Sequence, residues 1–91
     1  EPACDAACAM AMISTYKNLP MPEDLIVFGE IGLAGECRSV ANTSQRINEA
    51  VRLGFKRIAL PYRSLKAFNN HLSGVELIGL RSVFDLLKLL D

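Results

Sequence analysis

The run from Leu25 to Pro61 leaves this chain few folds to adopt. It reads as strand, tight turn, strand, helix, strand. Leu25 to Ile31 is almost wholly apolar as far as Gly29 and mixes β-branched and aromatic residues. Bounded by turn residues, such a run predicts a strand covered on both faces. Gly32-Leu33-Ala34-Gly35 predicts a hairpin turn, because two glycines accept backbone angles that other residues resist. Cys37 to Val40 then returns as a shorter strand. The following helix is the best marked: Asn42 stands at its N-cap, and Gln45 three residues on completes a capping-box pattern. Ile47, Ala50 and Val51 share one face, while Gln45, Arg46, Asn48, Glu49 and Arg52 turn outward. Gly54 fills the left-handed position past its end. Phe55 to Leu60, closed by Pro61, predicts a third strand, and short connections around the helix require a crossover with parallel pairing.

On the N-terminal side, Ala3 to Tyr16 is small or apolar nearly all round. That predicts a helix buried on every face, covered either by the rest of this chain or by the remainder of a larger domain. Asp5 suits its first turn, where the helix dipole favours a negative charge. Lys17 to Asp24 is a loop broken by Pro20 and Pro22, with Met21 as an apolar plug. On the C-terminal side, Ser64 to Asn70 predicts a short polar helix, His71 a solvent-facing loop residue and Val75 to Gly79 a fourth strand. Ser82 caps a last helix with Val83, Leu86, Leu87 and Leu90 inward. The order α-β-β-α-β-α-β-α describes an α/β domain, a mixed sheet with helices packed on it.

Composition excludes several classes. With 51% apolar residues the chain has the means to bury a core, yet no run approaches the ~20 apolar residues that span a bilayer. Ala3 to Ile13 is short, interrupted by Asp5 and without a basic flank, unlike a secretory signal. Cys4, Cys8 and Cys37 are an odd number without paired spacing, which predicts free, buried thiols in a reducing cytoplasm. With His71 they offer too few ligands for a metal, so no metal site is expected. Net charge is zero but unevenly spread. Residues 1–36 hold six acids and one base, residues 37–72 seven bases and one acid. The two halves either attract each other across a solvated surface or present a basic patch to nucleic acid or an acidic neighbour.

Three stretches carry a resemblance: Glu1-Pro2-Ala3, the block from Asp24 to Glu36 (DLIVFGEIGLAGE), and Leu53-Gly54-Phe55-Lys56-Arg57 ahead of Pro61. Together they resemble the proteolytic domain of the Lon family, and most closely the Lon-like C-terminal domain of the RadA (Sms) family of bacterial DNA-repair proteins. The resemblance implies a partial Lon-protease-like fold over residues 1–91, a C-terminal piece lacking the domain's first strands. It also implies the positions of a serine nucleophile and a lysine base, held here by Ala3 and Ser44. A Ser-Lys dyad works because a desolvated amine takes the hydroxyl proton. A methyl group and a short alcohol cannot do this, and Cys4 beside the nucleophile position has no evident base to make it a thiolate.

The expected function is accordingly a non-catalytic scaffold and oligomerisation module of a RadA-type ATP-dependent DNA repair and recombination protein. The alternative is the proteolytic domain of a Lon-type ATP-dependent serine protease. The family further implies a hexameric ring, contact with DNA and a cytoplasmic location, with no membrane or small-molecule substrate for this chain. ATP, magnesium and zinc would be handled elsewhere in the parent, since no Gly-x-x-x-x-Gly-Lys-[Ser/Thr] loop occurs here. Arg46, Arg52, Lys56 and Arg57 are the candidate DNA-facing residues, chosen for their density and the scarcity of acids around them.

Overall fold

The computed structural model describes residues 4–68 and 72–90. In chain order these form α1 (Asp5–Lys17), β1 (Leu25–Val27), β2 (Glu30–Ile31), β3 (Cys37–Arg38), α2 (Thr43–Arg52), β4 (Arg57–Pro61), α3 (Tyr62–Lys66), β5 (Glu76–Leu80) and α4 (Phe84–Leu89). β1, β4 and β5 make a parallel sheet in the order β1-β4-β5. Leu25 lies opposite Arg57, and Pro61 opposite Leu80. The two strands flanking α2 do not pair as expected: the short β3 is taken up by β2 in a separate hairpin, and β4 finds its parallel partner in β1. β2 and β3 pair antiparallel as a hairpin, Glu30 opposite Arg38 and Ile31 opposite Cys37. Both kinds of pairing are present, but in separate sheets.

Leu25 to Ile31 is not one strand. After β1, the Phe28 N–H still donates to the Ala59 carbonyl at 2.8 Å, and then the chain leaves the sheet. Gly29 makes the break. Its φ is +157°, and a Cβ there would lie 2.9 Å from Cys37 Sγ and 3.0 Å from Ala6 Cβ. Its carbonyl accepts the Ala6 N–H at 2.9 Å, and Asp5 accepts the Ile31 N–H at 3.2 Å. The start of α1 is thus tied to the hairpin on both sides of the break, and the described order becomes α-β-β-β-α-β-α-β-α. The turn forms where the glycines predicted it, with Gly35 N–H donating to the Gly32 carbonyl at 3.0 Å.

The predicted capping box on α2 is absent. Asn42 is at the N-cap but adopts a left-handed conformation with φ 59°, and its side chain caps nothing. Thr43 Oγ1 donating to the Val40 carbonyl (3.2 Å) and Arg46 Nε donating to the Ala41 carbonyl (2.8 Å) secure this end instead. The other end follows expectation: the Gly54 N–H donates to the Val51 carbonyl at 3.0 Å and the Phe55 N–H to the Ala50 carbonyl at 3.1 Å, the paired bonds of a Schellman motif. Of the outward residues expected, Arg46 is half-buried and the other four are exposed.

The sheet separates two apolar clusters. Ala6, Met10, Leu25, Val27, Ala59, Leu80 and Leu86 fill the side covered by α1 and α4. Ile47, Ala50, Ile58 and Leu60 fill the side covered by α2, with Leu65 and Phe68 packed against them. Alternate residues of β1 and β4 serve opposite clusters, as a strand buried on both faces requires.

α1 departs most from expectation. Only Ala6, Met10 and Ser14 are buried on it, positions four apart and therefore on one stripe. Met12 is 72% exposed and Tyr16 91%. Cys4 and Cys8 are exposed and Cys37 is half-buried, so the thiols are free but not the buried set the composition suggested. Met21 is likewise exposed. α3 begins at Tyr62 rather than Ser64, because Pro61 ends β4 and occupies the helix N-cap. It ends at Lys66, with Ala67 as its C-cap, short of the expected Asn70; residues 69–70 and His71 lie outside the described residues. At α4 the Ser82 hydroxyl accepts the Phe84 N–H at 3.3 Å, while Asp85 accepts the N–H groups of Arg81 and Ser82 at 2.7 and 3.3 Å. Leu86 is buried, and Val83 and Leu90 pack on the first cluster as predicted; Leu87 is half-buried.

Candidate functional site

β4 and β5 end level with each other, and Tyr62, Arg63 and Arg81 follow immediately. The carboxyl ends of parallel strands are where successive segments of an α/β domain converge. Here the hairpin joins them. Cys37 N–H donates to the Arg81 carbonyl at 2.9 Å and Val83 N–H to the Gly35 carbonyl at 2.8 Å, lacing β3 to the segment after β5. The buried Ser64 hydroxyl accepts the Val40 N–H at 3.1 Å, which fixes α3 against the chain leaving β3. Between these segments lies an open groove of about 640 Å³, lined among others by Glu36, Arg38, Tyr62, Arg63, Leu80 and Arg81.

Three guanidinium groups and one carboxylate line this groove. Arg38 pairs with Glu36 at 3.3 Å, both side chains about half exposed. The Glu36 carboxyl is held below the ordinary glutamate range by backbone hydrogen bonds at its own residue and at Ala34, with Arg38 adding to them. The Arg81 guanidinium lies 4.1 Å above the centre of the Tyr62 ring, within cation–π range. Arg63 has no carboxylate partner among the described residues. Burial, and after it the charge of Asp85, pushes the Cys37 thiol up to about 11. It is therefore neutral near pH 7 and a poor nucleophile.

The four basic residues chosen from the sequence lie on α2 and at the start of β4, and their surroundings differ. Arg57 forks onto Asp24 with contacts of 2.8–3.2 Å and is half-buried. This bond holds the Asp24 carboxyl below its ordinary value. Arg52 pairs with Glu49 one turn earlier on the exposed face, and that bond likewise lowers the Glu49 carboxyl. Arg46 reaches the Ala41 carbonyl and lies 5.9 Å from the centre of the Phe28 ring. Lys56 is exposed with no carboxylate partner among the described residues. Ser44 is exposed in the first turn of α2, beside a depression of about 350 Å³ that also touches Ser64 and Phe68 and is lined by no charged group. Ala3 lies outside the described residues. Among the described residues no three of His, Cys, Asp and Glu gather as a metal site, and no helix is long and apolar enough to cross a membrane.

Sequence reasoning passed over Tyr62 and Arg81. Both directly follow strands that the sequence placed, and that position was the available signal.

No protein-family model matches the chain. Among curated proteins it is 37% identical to DNA repair protein RadA of Haemophilus influenzae and of Escherichia coli, in each case over 91 residues, all of this chain. It is 42% identical over 88 residues, 97% of the chain, to DNA repair protein RadA of Streptococcus pyogenes. The chain spans 19% of the length of each of these relatives. Essentially end to end, it is similar to about a fifth of a bacterial DNA repair protein RadA.

Proposed function

We propose that this chain is a non-catalytic, Lon-like assembly module of a RadA-type ATP-dependent DNA repair and recombination protein, and that it turns a cationic surface toward DNA. The observation that carries this is the end-to-end similarity to proteins named DNA repair protein RadA, at 37–42% identity. The residues at the two dyad positions support the non-catalytic part, since Ala3 has no attacking atom and Ser44 no basic one. The excess of seven bases over one acid in residues 37–72 supports the DNA-facing part. Arg46, Arg52, Lys56 and Arg57 are the first set of contacts, Arg52 and Arg57 exchanging Glu49 and Asp24 for phosphate, with ATP, magnesium and zinc handled by the remainder of a cytoplasmic, hexameric parent.

The test uses the intact protein that carries this chain. Fluorescence anisotropy with duplex and single-stranded DNA over a salt series should give an affinity that falls steeply with salt, because phosphate binding releases counterions. Replacing the four basic residues with alanine should flatten that slope by about one unit for each phosphate that is no longer neutralised. An unfolded protein substrate should stay uncut, and sedimentation should show a ring-sized oligomer. Absence of DNA binding would remove the DNA-facing part. Cleavage abolished by a change within this chain would overturn the non-catalytic part.

A further inference from the structure

We propose that Cys4, Cys8 and Met12, on the exposed side of α1, form a binding site for one soft monovalent cation, Cu(I), held by two thiolates and a thioether. The site rests on α1 alone and is independent of the DNA-facing reading above.

Spacing is the first consideration. The three residues follow one another at intervals of four, which keeps them on one stripe of the helix. The buried stripe of α1 is a different one, Ala6, Met10 and Ser14. Cys4 and Cys8 are exposed, and so is Met12. Cβ atoms four residues apart on a helix lie about 5–6 Å from each other. Two opposed metal–thiolate bonds of ~2.3 Å span about 4.6 Å, so Cys4 and Cys8 can close on one ion without a change of backbone. Helical side chains lean toward the N-terminus. The unbranched Met12 side chain therefore reaches back over the turn that carries Cys8, and its three rotatable bonds let it adapt to an ion there.

The second consideration is availability. Cys4 stands at the N-cap with a helical backbone, φ −94° and ψ −2°, so it continues the stripe, and its side chain makes no capping hydrogen bond. All three cysteines are free thiols. The carboxylate in this first turn, Asp5, is engaged elsewhere, accepting the Ile31 N–H at 3.2 Å.

The third is the match between donors and ion. Thiolate and thioether sulfurs are soft ligands that select Cu(I). Zn(II) closes a structural site with four ligands, whereas this stripe offers three, one of them a thioether. Counting cysteine and histidine alone passes over Met12, which is the donor that completes the set. On binding, the two thiols release their protons to solvent, no electron moves, and the complex carries one net negative charge. It lies over the first turns of α1, where the helix dipole favours that sign.

The test is iodoacetamide labelling of the intact protein under anaerobic conditions, read residue by residue by mass spectrometry, with Cu(I) supplied as its bicinchoninate complex. Without Cu(I), Cys4 and Cys8 should both be labelled; with it, both should be protected together. Cys4→Ser should abolish the protection of Cys8. Met12→Leu should raise the Cu(I) needed for half-protection by about tenfold or more, the cost of losing even an outer-shell partner of a metal. Zn(II) at the same concentration should leave both thiols labelled. Unchanged thermal midpoints would show that these exposed positions act through the ion and not through folding. Thiols still labelled in the presence of Cu(I), Cys8 protected as well in Cys4→Ser as in the wild type, an unshifted requirement in Met12→Leu, or equal protection by Zn(II) would each overturn the site. Thiols that resist labelling before any Cu(I) is added would overturn it too, because the rest of the parent would then cover this face.

Discussion

Met10 and Met12 stand two residues apart on α1, and the structure treats them as opposites. Met10 is fully buried among Ala6, Leu25, Val27, Ala59, Leu80 and Leu86, whereas Met12 is 72% exposed. Met10→Ala removes three heavy atoms from the first cluster. At ~0.8 kcal/mol for each methylene-sized group, the lost transfer energy is about 2.4 kcal/mol. A residual cavity of roughly 40 Å³, at ~24 cal/mol per Å³, adds about 1 kcal/mol. The expected destabilisation is thus about 3 kcal/mol, or a fall of about 12–24 °C in Tm for a domain of this size. Met12→Ala should cost under about 0.5 kcal/mol, since it exposes no cavity and introduces the best helix former. Urea unfolding followed by circular dichroism, with equal m-values in the two variants, would measure both. A cost above about 1 kcal/mol for Met12→Ala would refute the one-sided burial of α1.

Two further outcomes follow from the same structure. At neutral pH iodoacetamide should label exposed Cys4 and Cys8 quickly and Cys37 only after unfolding, because burial raises the Cys37 thiol to about 11; mass spectrometry of the alkylated protein would read this, and equal labelling of all three would contradict it. The Asp24, Glu36 and Glu49 carboxyls are all lowered in the folded chain from ordinary values of 3.8 and 4.5. Below those values the unfolded chain binds more protons, so the stability they contribute is complete above them and lost as pH falls through the lower folded values. The urea midpoint should therefore drop on acidification below about pH 4, less so in Arg57→Gln, and an identical pH profile in that variant would remove Asp24 from the account.

Much of the central unit was legible because its signals are local. The hairpin turn and the left-handed Gly54 at the end of α2 each depend on a few neighbouring residues, and each formed where the sequence placed it, whereas β4 took the distant β1 and not the neighbouring β3 as its parallel partner. What was not legible depends on contacts from afar. Nothing local in Leu25 to Ile31 says that the strand must break, because what marks Gly29 is the space around it, where Ala6 and Cys37 from distant segments leave no room for a Cβ. Asn42 carries a good capping side chain, yet its left-handed backbone turns that side chain away from the task. On α1 the near-uniform apolar character leaves periodicity with nothing to read. Which stripe is buried was decided by where Gly29 and α4 happen to lie.

The basic surface depends on a different kind of information. Counting cations along residues 37–72 treats every one as available, but availability is settled in space. Asp24 stands 33 residues before Arg57 and neutralises it, which no local window can reveal. The Glu49–Arg52 pair, at a spacing that places both on one helix face, could have been discounted from the sequence. Arg81 lies outside the dense stretch, and its place after β5, laced to Cys37 through its carbonyl, sets it on the same groove as Arg38. A cationic stretch and a cationic patch are therefore different objects. The parallel strand ends, where backbone geometry gathers side chains from distant segments, locate the second better than charge density along the chain.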